Sequence, residues 1–244
     1  TFSEGMTAGE LVSFLNVYLT TMTDVILEHR GVVDKYVGDL VMAFWGAPVG
    51  LDDGAARACL AVLDQRKAVG KLNEGFQAEG RPAIQFRTGI NTGPAVVGNM
   101  GSSQRFDYTA MGDTVNLASR LEGANKFFGT YVMMSDATCK AAGDAVVARR
   151  LGRVQVVGKG IPTTVHQLLG RPGDLSEQDL KRLRMYHEAL DVLQGGRPGD
   201  CARILEDLLK EARDPVVELY LKKAKDLEET RASWDGVWVL TSKG

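Results

Sequence analysis

The segment Arg105–Arg120 carries side-chain types suited to an anionic ligand. An apolar-leaning strand runs into Gly112-Asp113 and then into a helix. Asp113 is expected at the N-cap, where its carboxylate can accept from the first free backbone N–H groups. Asn116 and Arg120, spaced i and i+4, share one helix face near the positive helix end. Thr109 lies on the strand that feeds the helix. A hydroxyl, an amide and a guanidinium thus converge near a helix N-terminus, a natural place for a nucleotide-like anion. Taken alone, the segment is equally a capped amphipathic helix with an exposed arginine. A second group is Lys35 and Asp39. Asp39 follows Gly38 at the tip of a tight hairpin and can hold Mg²⁺, which favours few carboxylates plus substrate phosphates. An aspartate there also simply favours a turn, and Lys35 is equally a solvated strand lysine.

The elements that must position these groups follow from periodicity. Leu11, Phe14, Leu15, Tyr18, Leu19, Met22, Val25 and Ile26 form the apolar face of a helix over 8–29, ended by Gly31. His29 at its end suits the helix dipole. Strands are expected at 32–37 and 40–45, a helix at 52–79, and a strand at 83–91 that resumes at 95–97. Gly98–Ser103 is expected to be a mobile connection. A helix to Phe128, a strand at 130–134, a short helix at 135–142 and strands at 146–157 and 163–168 complete this part. A β-hairpin between helices marks an α+β fold of the ferredoxin-like βαββαβ kind, an antiparallel-rich sheet with flanking helices. Thr1–Thr7 reads as the loop after a first strand that lay upstream. Beyond Arg171-Pro-Gly-Asp174 the chain turns helical, at about 176–194, 199–212 and 214–230. These helices resemble a tetratricopeptide-type repeat, too short to bury much alone and so expected to dock on the main domain. His187 is expected as a core or surface histidine. The tail from Trp234 to Leu240 is expected to be a short strand or docking segment. The domain division is 1–170 and 171–244.

The composition of the 244 residues, 44% hydrophobic and 25% charged, is that of an ordinary globular protein. A net charge of −2 gives no basic footprint for nucleic acid. Cys59, Cys139 and Cys201 lie far apart, with no metal spacing and no even disulfide set, which suits small buried thiols in a reducing compartment. No apolar run of about 18 residues is read, so no segment is expected to cross a membrane. The chain opens in mid-phrase at Thr1-Phe-Ser-Glu4, as expected of a piece of a longer protein.

Three phrases occur in order: Lys35-Tyr-Val-Gly-Asp39-Leu-Val-Met-Ala-Phe-Trp-Gly46, then Gly89-Ile-Asn-Thr-Gly93 with Val97-Gly-Asn-Met-Gly101, then Tyr108-Thr-Ala-Met-Gly-Asp-Thr-Val-Asn-Leu-Ala-Ser-Arg120. Together they resemble the class III nucleotidyl cyclases, the catalytic domains of adenylate and guanylate cyclases. The resemblance covers roughly residues 1–169. The helical tail, with Trp234-Asp-Gly-Val-Trp238, resembles that of some bacterial cyclases with an upstream periplasmic sensor and membrane helices.

The resemblance implies an adenylate cyclase that converts ATP to 3′,5′-cyclic AMP and pyrophosphate. It implies Asp39 as one of two metal aspartates, holding Mg²⁺ or Mn²⁺ with two ions per site. Lys35 and Thr109 would read the base, Asn116 would orient the ribose, and Arg120 would stabilise charge on the transferring phosphate. It also implies a head-to-tail homodimer, with the metal aspartates from one subunit and the other four residues from its partner. The catalytic region is expected in the cytoplasm, tied to a membrane only through an upstream sensor region. Thr109 places the chain in a Lys–Thr subgroup, some members of which respond to bicarbonate. Two departures stand out. The other metal aspartate belongs to a strand preceding Thr1, so a chain that began at Thr1 is expected to be inactive or badly crippled, and one that carried that strand is expected to be intact. The triphosphate lysine of many members aligns with Val157; Lys159, two residues on and on the same strand face, is the substitute.

The chemistry agrees. Adenine presents an N1 acceptor and N6 donors, matching Lys35 as donor and Thr109 as acceptor, whereas guanine reverses the pattern. A bidentate cation suits the developing phosphoryl charge. The competing readings are a cyclase-like nucleotide-binding or dimerisation module without catalysis, and a ferredoxin-like RNA-binding domain, which would need the basic face this chain lacks.

Overall fold

The structure, a computed structural model, describes residues 7–78, 80–81, 83–158 and 160–240. The loop expected over Thr1–Thr7 therefore falls outside them except for Thr7. In chain order the elements are α1 (Ala8–Glu28), β1 (Val32–Val37), β2 (Leu40–Phe44), α2 (Gly54–Ala78), β3 (Thr88–Ile90), β4 (Val96–Gly101), β5 (Phe106–Met111), α3 (Asp113–Phe128), β6 (Val132–Ser135), α4 (Asp136–Ala142), β7 (Val147–Gln155), β8 (Thr163–Gly170), α5 (Glu177–Gln194), α6 (Pro198–Glu211), α7 (Pro215–Thr230) and β9 (Val237–Val239). They form two compact units. The first holds α1, β1, β2, α2, β4, β5 and the start of α3; the second holds β3, the rest of α3, β6 and nearly all that follows. The fold is α+β, as expected, with its strands in three sheets.

In the first unit α1 begins with a capping box, Thr7 and Glu10 each serving the other's backbone N–H. It buries Phe14, Tyr18 and Met22 at helical spacing against Val69 and Ile84. By length and composition α1 would pass for a membrane-crossing helix, which the sequence reading did not expect. Its buried stripe also includes Val25 and Ile26. The helix ends differently from expectation. Arg30, at φ 60°, takes the left-handed position. Gly31 is needed for space, since a Cβ there would lie 2.6 Å from the Trp45 ring. His29 bonds Asp64 of α2 at 2.8 Å, a side-chain partner in place of the dipole role.

Two expectations in this unit are corrected. The strand read over 83–91 shrinks to β3, because the Asn73 side chain takes both backbone groups of Ile84, at 2.7 and 2.9 Å. Gly98–Gly101 is no mobile connection but part of β4, paired antiparallel with β5 from Val96↔Met111 to Gly101↔Phe106.

In the second unit the sheet order is β3-β6-β8-β7-β9, with β3–β6 and β7–β9 parallel and the rest antiparallel. Leu121, Phe128, Leu151, Val154 and Val165 share one core with Tyr186, Leu190, Leu205, Leu208, Val217 and Tyr220. The tail helices thus pack on one another, α5 on α6 and α6 on α7, and share this core with the sheet and α3. The reason lies partly in β7, whose register shifts between Arg150 and Gly152. That bulge frees backbone groups, and the tail satisfies them. Arg150 N–H donates to His187 Nε2 at 3.1 Å, Tyr186 O–H donates to Arg150 C=O at 3.0 Å, and Tyr220 O–H donates to Leu151 C=O at 2.7 Å. Tyr220 also accepts from Trp238 Nε1 at 3.1 Å, and Trp238 lies on β9, the docking strand expected at the C-terminus. Burial pushes the Tyr220 hydroxyl up to about 12. Cys59, Cys139 and Cys201 are free thiols, Cys59 and Cys201 buried.

His187 must accept at Nε2, so its neutral form is built into the fold. Burial, and then the Arg150 charge, hold its pKa below the ordinary 6.5; burial also lowers that of His166, against the pull of Asp136. Unfolding then takes up protons, so stability is complete above pH 6.5 and falls as the pH drops through the window below it. A melting series from pH 7.5 to pH 5 is expected to show Tm falling, more weakly in His187→Gln, whose amide oxygen can still accept. A flat or rising Tm would contradict this.

Candidate active site

Lys35, Asp39 and Thr109 all belong to the first unit. Gly38, at φ +63°, makes the tight link between Val37 and Leu40, which pair with each other. Asp39 is exposed at this tip. Its charge adds to the burial that pushes the Tyr18 hydroxyl up to about 12. Among the described residues no group of three or more His, Cys, Asp or Glu is placed to hold a metal. Asp39 offers a hard oxygen donor at this tip. It fits a magnesium-like ion whose other ligands are water and substrate phosphates, and it fits no metal that needs a protein cage.

The centre of the cluster is a residue that the sequence reading passed over. Val33 pairs with Ala43 and Lys35 with Met42, so Asp34 is the extra residue of a β-bulge. Bulges re-aim side chains, and the Asp34 side chain is fully buried, at 0% exposure, against β5. Its carboxylate accepts from Thr109 O–H at 2.7 and 3.0 Å, from Ala110 N–H at 2.9 Å, and takes Lys35 Nζ at 3.2 Å. Thr109 is buried at 5% exposure, while the Lys35 side chain keeps 42%. One carboxylate thus sets a cation and a hydroxyl side by side. The available signal was an aspartate inside a strand, where its type is disfavoured.

α3 carries the other two candidates one helical turn apart. Gly112 holds the cap position and accepts from Asn116 N–H at 3.1 Å, so Asp113 sits in the first turn instead of at the expected N-cap. Thr114 Oγ1 donates to Pro94 C=O at 2.5 Å, tying the helix start to the loop before β4. Asn116 is exposed and Arg120 half-buried. Further along, the fully buried Asn125 donates to Thr88 C=O at 3.0 Å and accepts from Thr130 O–H at 2.8 Å, clamping α3 to β3. Gly89 makes that contact possible, since a Cβ there would lie 2.0 Å from Ala118 C=O. Arg120 reaches the turn between β7 and β8, where a Cβ on Gly158 would stand 3.3 Å from its Nη2. Lys159, next in that turn, lies outside the described residues.

The model of the family "Adenylate and Guanylate cyclase catalytic domain" matches residues 1–170. Adenylate cyclase 1 of Rhizobium meliloti is 39% identical over 170 residues, which is 70% of this chain and 26% of that protein. The chain therefore spans about a quarter of that relative's length. Among solved structures, the adenylyl cyclase CyaB from P. aeruginosa is 35% identical with a TM-score of 0.65, over 71% of this chain and 89% of that one. The guanylyl cyclase Cya2 is also 35% identical, with a TM-score of 0.63 over 72% and 89%. Likeness of this degree embraces both kinds of cyclase, so the choice of base rests on the site residues. The match of 170 residues in sequence, with agreement in fold, places this chain in the family of adenylate and guanylate cyclase catalytic domains.

Proposed function

We propose that the chain is the catalytic domain of an adenylate cyclase, forming 3′,5′-cyclic AMP and pyrophosphate from ATP. The observation that carries this reading is the placement of Lys35 and Thr109 on one buried carboxylate. Lys35 Nζ has donors left for adenine N1, and Thr109 Oγ has lone pairs left for the N6 amino group. Guanine would set its N1–H against the lysine donor. Asn116 holds the ribose so that its 3′-oxygen faces the α-phosphorus in line, which removes much of the entropic barrier. Arg120 offers two parallel N–H groups to the phosphoryl oxygens as charge builds there. Lys159 adds a positive charge for the leaving phosphates. Asp39 would hold Mg²⁺ or Mn²⁺, which when bound would supply Lewis-acid polarisation of the phosphates and of the attacking hydroxyl. A head-to-tail homodimer supplies the pairing, so that Arg120 of one copy serves the Asp39 of the other. In this reading the catalytic region works in the cytoplasm.

The test is an assay of the parent polypeptide with ATP or GTP and Mg²⁺ or Mn²⁺. Cyclic AMP and pyrophosphate are expected in equal amounts, with ATP strongly preferred. Nucleotide binding with no cyclic product would replace this reading with a non-catalytic binding module.

A further inference from the structure

The geometry points to Asp34 as the residue that makes this site read adenine, by fixing which way the Thr109 hydroxyl points. A threonine hydroxyl is ambiguous, since it can donate to guanine O6 as readily as it accepts from adenine N6. Sequence therefore leaves Thr109 without a fixed polarity. In the fold its proton has a destination. Asp34 Oδ2 accepts it at 2.7 Å, with Oδ1 at 3.0 Å, and the neighbouring Ala110 C=O is 3.5 Å away. A carboxylate is acceptor-only, so it cannot return a hydrogen bond to Thr109. Thr109 Oγ is left as an acceptor towards any ligand. Asp34 cannot swing away, because Ala110 N–H holds Oδ2 at 2.9 Å and the side chain is fully buried at 0% exposure. The same carboxylate takes one donor direction of Lys35 at 3.2 Å and so holds an ammonium, a donor in any case, beside that acceptor. Asp34 is thus a positioning residue. Its carboxylate turns one adaptable hydroxyl into a fixed acceptor and sets it beside the Lys35 donor.

This inference rests on the cyclase reading, and its test separates the two. Asp34→Ala frees the Thr109 proton. Asp34→Asn keeps the shape and an acceptor for Ala110 N–H, and serves where the alanine variant fails to fold. In the parent polypeptide, kcat/KM for ATP and for GTP is measured, together with affinities for non-hydrolysable ATP and GTP analogues. The ATP-over-GTP ratio is expected to fall by about tenfold or more in Asp34→Ala, the scale of one misdirected hydrogen bond, and by a smaller factor in Asp34→Asn. A folded variant whose ratio stays within about twofold of the original, even with both rates reduced, would overturn the role, since a purely structural residue lowers both substrates together. Analogue binding with the expected ratios but no cyclic product would sink the cyclase reading and leave Asp34 as the selector. A protein that binds neither analogue would overturn both.

Discussion

Arg120→Ala is expected to lower cyclic AMP formation by about 10²–10³-fold, with ATP affinity changed far less. In the proposed reaction the in-line displacement would pile charge onto the α-phosphoryl oxygens, and a planar fork that is always charged would meet that charge with two N–H groups at once. The effect belongs to the transition state, so it should appear in kcat and kcat/KM together. Arg120→Lys keeps the charge but loses the fork, and is expected to recover only a minor part. Single-turnover rates at saturating ATP give the measurement. A variant within about threefold of the original would remove Arg120 from the mechanism.

Gly89→Ala should be the most disruptive single methyl in the second unit. Its Cβ would lie 2.0 Å from Ala118 C=O and 2.4 Å from Glu122 N, both of them backbone atoms of α3. Backbone cannot rotate away as a flexible side chain can, so α3 or β3 must shift. A cost at or above the upper end of the usual overpacking range, about 3 kcal/mol, is expected in denaturant unfolding. The Asn125 clamp to Thr88 should fail with it, and with that clamp the setting of Arg120. Activity of the folded fraction is therefore expected to drop as well. A variant with unchanged midpoint would show that α3 does not press on β3 as described.

The places of the candidate residues in the fold were legible because their spacing coincides with local geometry. Asp39 sits where a Gly-Asp hairpin tip must be, and Asn116 and Arg120 sit one turn apart on a helix. Asp34 was hidden because period-2 reasoning assigns alternate residues to alternate faces, and a bulge breaks that alternation. The strand over 83–91 was over-read because Asn73, distant in sequence, takes the backbone of Ile84. Gly98–Gly101 was under-read because glycine and asparagine signal a loop locally, whereas pairing with β5 comes from outside the segment. The tail helices were visible from periodicity. Their docking on the main domain followed from the same reasoning, but its means did not, since it depends on the Arg150–Gly152 bulge and on hydrogen bonds to side chains far along the chain.

β9 closes the β7 side of the five-stranded sheet with a parallel pairing from Arg153↔Val237 to Gln155↔Val239. A bare strand edge is a template for another chain's backbone, and β7 is long, at nine residues. The few residues around Trp238 therefore act as a guard against edge-to-edge aggregation. Where the polypeptide is cut for study decides whether that guard is present: ending the chain at the family border near residue 170 would bare the edge of β7.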